Sequence, residues 1–248
     1  MNTVLARIMD VGELLLESTA EVNRVEDTVR RLCSAYGFVR TDVFTITSII
    51  IVTAIMQDGT ALTQTRRIYS TGTDLGRIEK LNAFSRKICQ NPVPIEEMQR
   101  ELERIRAVQK ENFPLEFLVY GGISAVFAAF FGGSPIDSLA AFFSGIFLFG
   151  MVLLSRRLHM KSIFQSMICS AVTALVVMLL IRLGIGENPD KIMIGNIMLV
   201  IPGIQLTTSL RDMMNGDIIT GSLNLAEAVM KAMAIAAGFA FVVSRLGA

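Results

Sequence analysis

The sequence predicts two unlike halves. Residues 1–112 read as an α+β cytoplasmic domain of one long helix, a β-hairpin and two further helices, and residues 113–248 as an all-α membrane domain of five transmembrane helices. Three observations carry this. A hydrophobic fraction of 52% with a mean hydropathy of +0.54 exceeds that of an ordinary soluble domain. Of the 45 Asp, Glu, Lys and Arg side chains, 31 fall in the first 116 residues. The apolar residues beyond them come in runs that approach the roughly 20 residues a helix needs to cross a bilayer.

Composition also excludes some functions. A net charge of +1, with no basic cluster interleaved with aromatics, gives no footprint for nucleic acid. The three cysteines, Cys33, Cys89 and Cys169, are far apart and lack CxxC spacing, so neither a disulfide framework nor a zinc site is expected. No cofactor or metal is expected elsewhere. Met1 to Asn23 carries acidic residues where a signal peptide needs an apolar core, which places the N-terminus in the cytoplasm and the chain, multi-pass, in the cell (inner) membrane.

In the first half, Val4, Ile8, Val11, Leu15, Ser18, Val22, Val25, Val29 and Leu32 alternate four and three residues apart, the stripe of a single long helix ending near Gly37. On another face lie Glu13, Glu17, Glu21 and Arg24, with Glu26 and Asp27 behind them. These read either as a solvated, self-paired face or as a carboxylate cluster facing the membrane domain, with Glu17, Glu21, Arg24 and Glu26 as a candidate cytoplasmic gate. Val43 to Met56 is β-branched with period-two threonines, Gln57-Asp58-Gly59-Thr60 supplies a hairpin turn, and Ala61 to Tyr69 is the return strand. Thr73 or Asp74 caps a second helix, and Asn91-Pro92-Val93-Pro94 ends it. A third helix follows, striped by Ile95, Met98, Leu102, Ile105 and Val108. No histidine, GxSxG elbow, P-loop or HExxH occurs in this half, so the usual enzymatic signatures are missing.

In the second half, apolar runs span Phe117 to Phe131, Ile136 to Leu154, Ile163 to Ile181, Ile192 to Leu210 and Ile218 to Val243. Arg156, Arg157 and Lys161 follow the second run, so the positive-inside rule makes that turn cytoplasmic and agrees with an internal N-terminus. His159, the one histidine, sits among these cations as a solvated interfacial residue. Cys169 reads as a small packing residue.

The fourth run differs from the others. Pro202 lies roughly 15 Å into it, near the bilayer midplane, and removes a backbone donor, while Gly203 adds freedom. A kink or break is expected there. Broken helices at the midplane recur as transporter substrate sites, because unpaired backbone in hydrocarbon survives only where protein or a wet cavity covers it. The run closes with Arg211 and Asp212, and Gly216-Asp217 opens the next. Taken alone, the segment reads equally as a packing kink with an ordinary charged turn. Glu227, roughly 14 Å along the fifth run, and Lys231 one turn deeper are ionisable groups at a costly depth, which favours a transport path even if the two neutralise each other.

Three stretches together resemble the threonine/serine exporter family. They are Gly12-Glu13-Leu14-Leu15 through Arg24-Val25-Glu26-Asp27, then Thr65-Arg66-Arg67 with Asp74-Leu75-Gly76-Arg77, and finally Ile201-Pro202-Gly203 with Arg211-Asp212, Gly216-Asp217, Gly221 and Glu227-Ala228. The resemblance implies export of small hydrophilic amino acids (threonine, serine) or similar small carboxylates, driven by the membrane potential or proton gradient. Full-length members are similar to this chain followed by a second set of spans. The resemblance therefore implies the larger subunit of a split exporter, with a second, smaller membrane subunit as partner and an oligomeric assembly in the lipid bilayer. Asn224 stands where the resemblance implies a basic residue in many relatives. On this reading Pro202 and Gly203 open the fourth span, Arg211 holds a carboxylate, Asp212 or Asp217 an ammonium group, and Glu227 relays a proton. A membrane-anchored hydrolase and a non-transporting scaffold subunit are the competing readings.

Overall fold

The computed structural model describes residues 1–107, 113–158 and 160–246. Val108, His159 and the expected boundary at residue 112 lie outside the described residues. Two compact units form. One joins Met1–Gln109 to Ile204–Leu225, and the other joins Lys110–Gly203 to Ala226–Ala248.

In the first unit the expected long helix is two: α1 (Asn2–Glu17) and α2 (Val22–Ala35). All nine residues of the predicted stripe are buried, so the apolar pattern runs on through the break. The break itself is a Schellman turn. Thr19 takes φ 67°, its N–H donates to the Leu16 carbonyl at 3.0 Å, and the Ala20 N–H donates to Leu15 at 3.0 Å. Such turns usually advertise themselves with glycine. Here a β-branched residue adopts the left-handed conformation, and the buried Ser18 hydroxyl donates back to the Leu14 carbonyl at 2.7 Å.

The expected hairpin is a three-stranded antiparallel meander, β1 (Arg40–Ile46), β2 (Ile49–Ile55) and β3 (Ala61–Arg67), in the order β1-β2-β3. The 14-residue β-branched run is folded in two by Thr47-Ser48, since Ile46 pairs with Ile49. The turn expected before Ala61 forms, with Gly59 at φ 82° and the Thr60 N–H donating to Asp58 Oδ1 at 2.9 Å. β2 turns Ile50, Val52 and Ala54 inward, where α1 packs on β2 and β3 and α2 on β1. A Cβ at Gly12 would lie 3.0 Å from Val29 Cγ2, so the glycine sets the close approach of α1 to α2. Arg66 ties β3 to α1, reaching Asp10 at 3.3 Å and Glu13 at 3.7 Å. Asp74 is the cap of α3 (Leu75–Gln90), accepting the Arg77 N–H at 2.8 Å, and α4 (Ile95–Ala107) follows.

The apolar half contains α5 (Phe113–Phe130), α6 (Pro135–Arg157), α7 (Ser162–Arg182), α8 (Pro189–Val200), α9 (Gly203–Met214) and α10 (Ile218–Leu246). Among the described residues α6, α7 and α10 are long and apolar enough to cross a membrane. α8 with α9 makes a fourth candidate, bent by 52°. Five spans were expected, but the apolar stretch of α5, Pro114–Phe130, is shorter. At 1.5 Å per residue it rises about 26 Å against a hydrocarbon layer of about 30 Å. Gly132 at φ 87° stops it, with the Gly133 N–H donating to Ala128 at 2.9 Å. Within the membrane unit, α5 packs on α6 and α8 through small residues. A Cβ at Gly145 would sit 2.9 Å from the Tyr120 carbonyl oxygen, and one at Gly195 would strike the Ser124 carbonyl.

Candidate functional site

The break comes where proline dictates. Ile201 adopts φ −64° and ψ 133°, the extended conformation that a following proline imposes, so α8 ends at Val200. Pro202 offers no N–H, the Gly203 N–H donates to the Ile201 carbonyl at 2.8 Å, and helix resumes as α9. Two hydroxyls of α9 turn back on their own helix: Thr208 Oγ1 donates to Ile204 at 3.0 Å and Ser209 Oγ to Leu206 at 2.8 Å. Gln205 Nε2 donates to the Asn224 carbonyl at 3.4 Å, and Gly221 lets α10 lie against Ser209 and Met213.

α9 ends in a second Schellman turn, this one with the expected glycine. Gly216 has φ 98°, its N–H donates to Met213 at 3.1 Å, and the Asp217 N–H donates to Asp212 at 2.9 Å. That turn fixes Arg211, Asp212 and Asp217 together within the first unit. Arg211 Nη1 reaches Glu21 Oε1 at 2.5 Å, joining residues 190 positions apart. Asp212 is 2% exposed and lies against the backbone N–H of Val22, the first residue of α2, where the helix dipole favours a negative charge. Its Oδ1 has no partner among the described residues.

Glu26, one turn further along α2, accepts the Thr45 N–H at 3.0 Å and pairs with Arg30. Burial pushes its carboxyl above the ordinary range; Arg30 opposes the shift and Asp217 adds to it. Of the proposed gate residues, then, Glu21 and Glu26 stand with the Arg211–Asp217 turn. Arg24 lines a groove between α2 and α3, and Glu17 ends α1, its carbonyl accepting the Gly72 N–H at 2.8 Å.

Glu227 and Lys231 form an ion pair at 2.8 Å within α10, in the membrane unit, the Lys side chain 19% and the Glu side chain 42% exposed. Among the described residues no group of three or more His, Cys, Asp or Glu is placed to hold a metal ion.

Two arrangements escaped the sequence reading. Asp137 is fully buried at the start of α6, where it accepts from the Ser134 N–H at 2.9 Å, Glu187 N–H at 2.7 Å, Asn188 N–H at 2.9 Å and Asn188 Nδ2 at 2.8 Å. The spacing Ser134-x-x-Asp137 is a capping box that sequence could have revealed; the reach to residues 187–188 is not encoded locally. Deep between α6 and α8, Asn196 Nδ2 donates to Ser144 Oγ at 2.8 Å and to Ile192 at 2.9 Å, while Asn196 Oδ1 and the hydroxyl of Ser124 on α5 are buried without partners among the described residues. An asparagine inside an apolar run was the available signal.

A family model described as "Putative threonine/serine exporter" matches residues 7–246. The chain is 23% identical over 235 residues to a protein of Corynebacterium glutamicum named "Threonine/serine exporter", covering 92% of this chain and 48% of that one. It is 22% identical over 239 residues to a "Probable threonine/serine exporter" of Mycobacterium tuberculosis, covering 95% of this chain and 45% of that one. The chain thus spans about half the length of these curated relatives. No solved structure matches it.

Proposed function

We propose, from the premise that this chain belongs to the threonine/serine exporter family, that it is a membrane transporter subunit through which threonine, serine or similar small carboxylates leave the cell. The observation that carries this reading is the helix pair α8 and α9, broken at Pro202-Gly203, with Arg211 and Asp212 in the same half-helix. Broken half-helices recur as transporter substrate sites, because unpaired backbone survives in hydrocarbon only where protein or a wet cavity covers it. Arg211 holds the substrate carboxylate, and Asp212 or Asp217 its ammonium group. Glu21, which pairs with Arg211, competes with the substrate for the guanidinium and acts with Glu26 as the gate.

Export is secondary active, with Glu227 carrying or relaying the proton and Lys231 offsetting its charge at depth. The chain crosses the cell membrane five times, with α5 as the first span and the N-terminus in the cytoplasm. It works in an oligomer with a second, smaller membrane subunit, the partner the family resemblance implies. It is a transporter rather than an enzyme.

The test is efflux from cells expressing the chain with its partner and loaded with a threonine dipeptide. Wild type should accelerate threonine efflux, and Glu227→Gln at equal protein level should abolish the acceleration. Unchanged efflux in the variant removes Glu227 from the mechanism. A wild-type chain that leaves efflux and intracellular threonine unaltered overturns the transport reading itself.

A further inference from the structure

One groove of the first unit carries more positive charge than its surroundings balance. It lies between α2 and α3, has a volume of about 370 Å³, and is lined by Arg24, Arg31 and Arg86 together with the polar side chains Asn82, Ser85 and Gln90. Asp27 is the one carboxylate on its wall and is engaged by Arg31 at 2.8 Å. Arg24 and Arg86 make no ion pair among the described residues. A shallower depression of about 310 Å³ shares Arg24, Asp27 and Arg31 and adds Glu21, Asn23 and Arg30, the last paired with Glu26. The groove wall therefore has an excess of two positive charges, whereas residues 1–116 hold 15 basic and 16 acidic side chains.

The spacing constrains what could balance that excess. Arg24 and Arg31 are seven residues apart on one face of α2, about 10.5 Å along its axis, a separation that an anion with several charged groups along its length matches. Guanidinium groups bind planar or tetrahedral oxyanions through paired N–H donors, and the amides and hydroxyl on the same wall add neutral donors. The volume lies within the roughly 300–1,000 Å³ of small-molecule sites. We propose that the α2–α3 groove binds an extended polyvalent oxyanion, gripped by Arg24, Arg31 and Arg86. A phosphoanhydride chain and a polycarboxylate share that chemistry, and the test separates them.

Cys89 lines the groove and is exposed, whereas Cys33 and Cys169 are buried, so the chain carries its own reporter. The full chain in detergent is alkylated with N-ethylmaleimide, and modification of Cys89 is followed by intact mass. Tripolyphosphate or citrate is titrated in while potassium chloride holds the ionic strength constant. Saturable, several-fold slowing of Cys89 alkylation is expected with at least one of them. Slowing by tripolyphosphate alone assigns a phosphoanhydride ligand, by citrate alone a polycarboxylate, and by both the shared oxyanion chemistry.

Arg24→Gln and Arg86→Gln should each raise the half-protecting concentration about tenfold, the loss of one ionic hydrogen bond. Both positions are exposed, and continued resistance of the buried Cys33 and Cys169 to alkylation verifies that each variant is folded. No protection by either anion, equal protection by potassium chloride, or protection unchanged in both variants overturns the proposal and leaves a solvated basic face.

Discussion

Two buried aspartates, one in each unit, are held in opposite ways. Asp137 in the membrane unit has each carboxylate oxygen engaged by two donors, from residues 134, 187 and 188. Asp212 in the first unit is 2% exposed, yet one of its oxygens has no partner among the described residues, and its charged neighbours are Arg211, Glu21 and Asp217. A carboxylate wholly engaged by three backbone N–H groups and one side-chain amide is a fastener, since those donors offset its desolvation. One left incomplete where water does not reach keeps part of its desolvation cost unoffset. The difference separates a charge that the fold offsets from one that it leaves partly unpaired, in a chain that has few charges in its apolar half.

The largest effect is expected from breaking the fastener. Asp137→Ala leaves the N–H groups of Ser134, Glu187 and Asn188 without their acceptor and should cost about 1–3 kcal/mol, seen as lost folded yield and a lower melting temperature in detergent. A variant that folds normally and loses only efflux would reverse the roles given to the two aspartates. Next comes Asp212→Asn, which should keep its fold but lower efflux about tenfold or more, as expected for loss of one ionic contact to substrate. Collapse of the protein in that variant would make Asp212 a fastener as well.

Smaller again is the Arg211–Glu21 pair. The Arg211 side chain is 57% exposed, so Glu21→Gln should change stability by only about 0.2–1 kcal/mol in a denaturation series. Its effect on transport should be a lowered substrate requirement, because the competing carboxylate is gone.

Smallest is Glu13, 22% exposed on the side chain, whose carboxyl is raised above 4.5 chiefly by burial, with Glu17 adding to it. A raised carboxyl contributes stability in full below its unfolded value and loses it as pH rises through the folded value. Melting temperature followed upward from pH 4.5 should therefore fall more for wild type than for Glu13→Gln. Superimposable profiles would remove burial of Glu13 as a determinant.

The sequence made some of this legible and hid the rest for definite reasons. Pro202, the Asp74 cap and the Asp58-Gly59 turn each carry a residue whose backbone preference declares the structure. The breaks at Thr19 and Thr47-Ser48 carry none. A threonine takes the place where glycine would have signalled the end of α1, and the strand turn has no residue at positive φ among those described. The helical stripe also continues in phase across Ser18, which made two helices look like one.

For the candidate site, Arg211, Asp212 and Asp217 were legible as charges beside an apolar run. Their association with Glu21, Val22 and Glu26 was not, because no local pattern pairs residues about 190 apart. Nor did spacing show that Arg24 would turn toward α3.

The missing side chain of Gly195 has a mechanical consequence. Where two helices are separated by flexible side chains, rotamer changes let one slide past the other like teeth under a soft load. α5 and α8 meet at the Ser124 carbonyl and the Gly195 backbone with no such padding, and Gly145 brings α6 close to the Tyr120 carbonyl. Main chain cannot yield as a side chain does. A side chain added at Gly195 or Gly145 would therefore have to push main chain aside, so the contacts among α5, α6 and α8 depend on these two glycines.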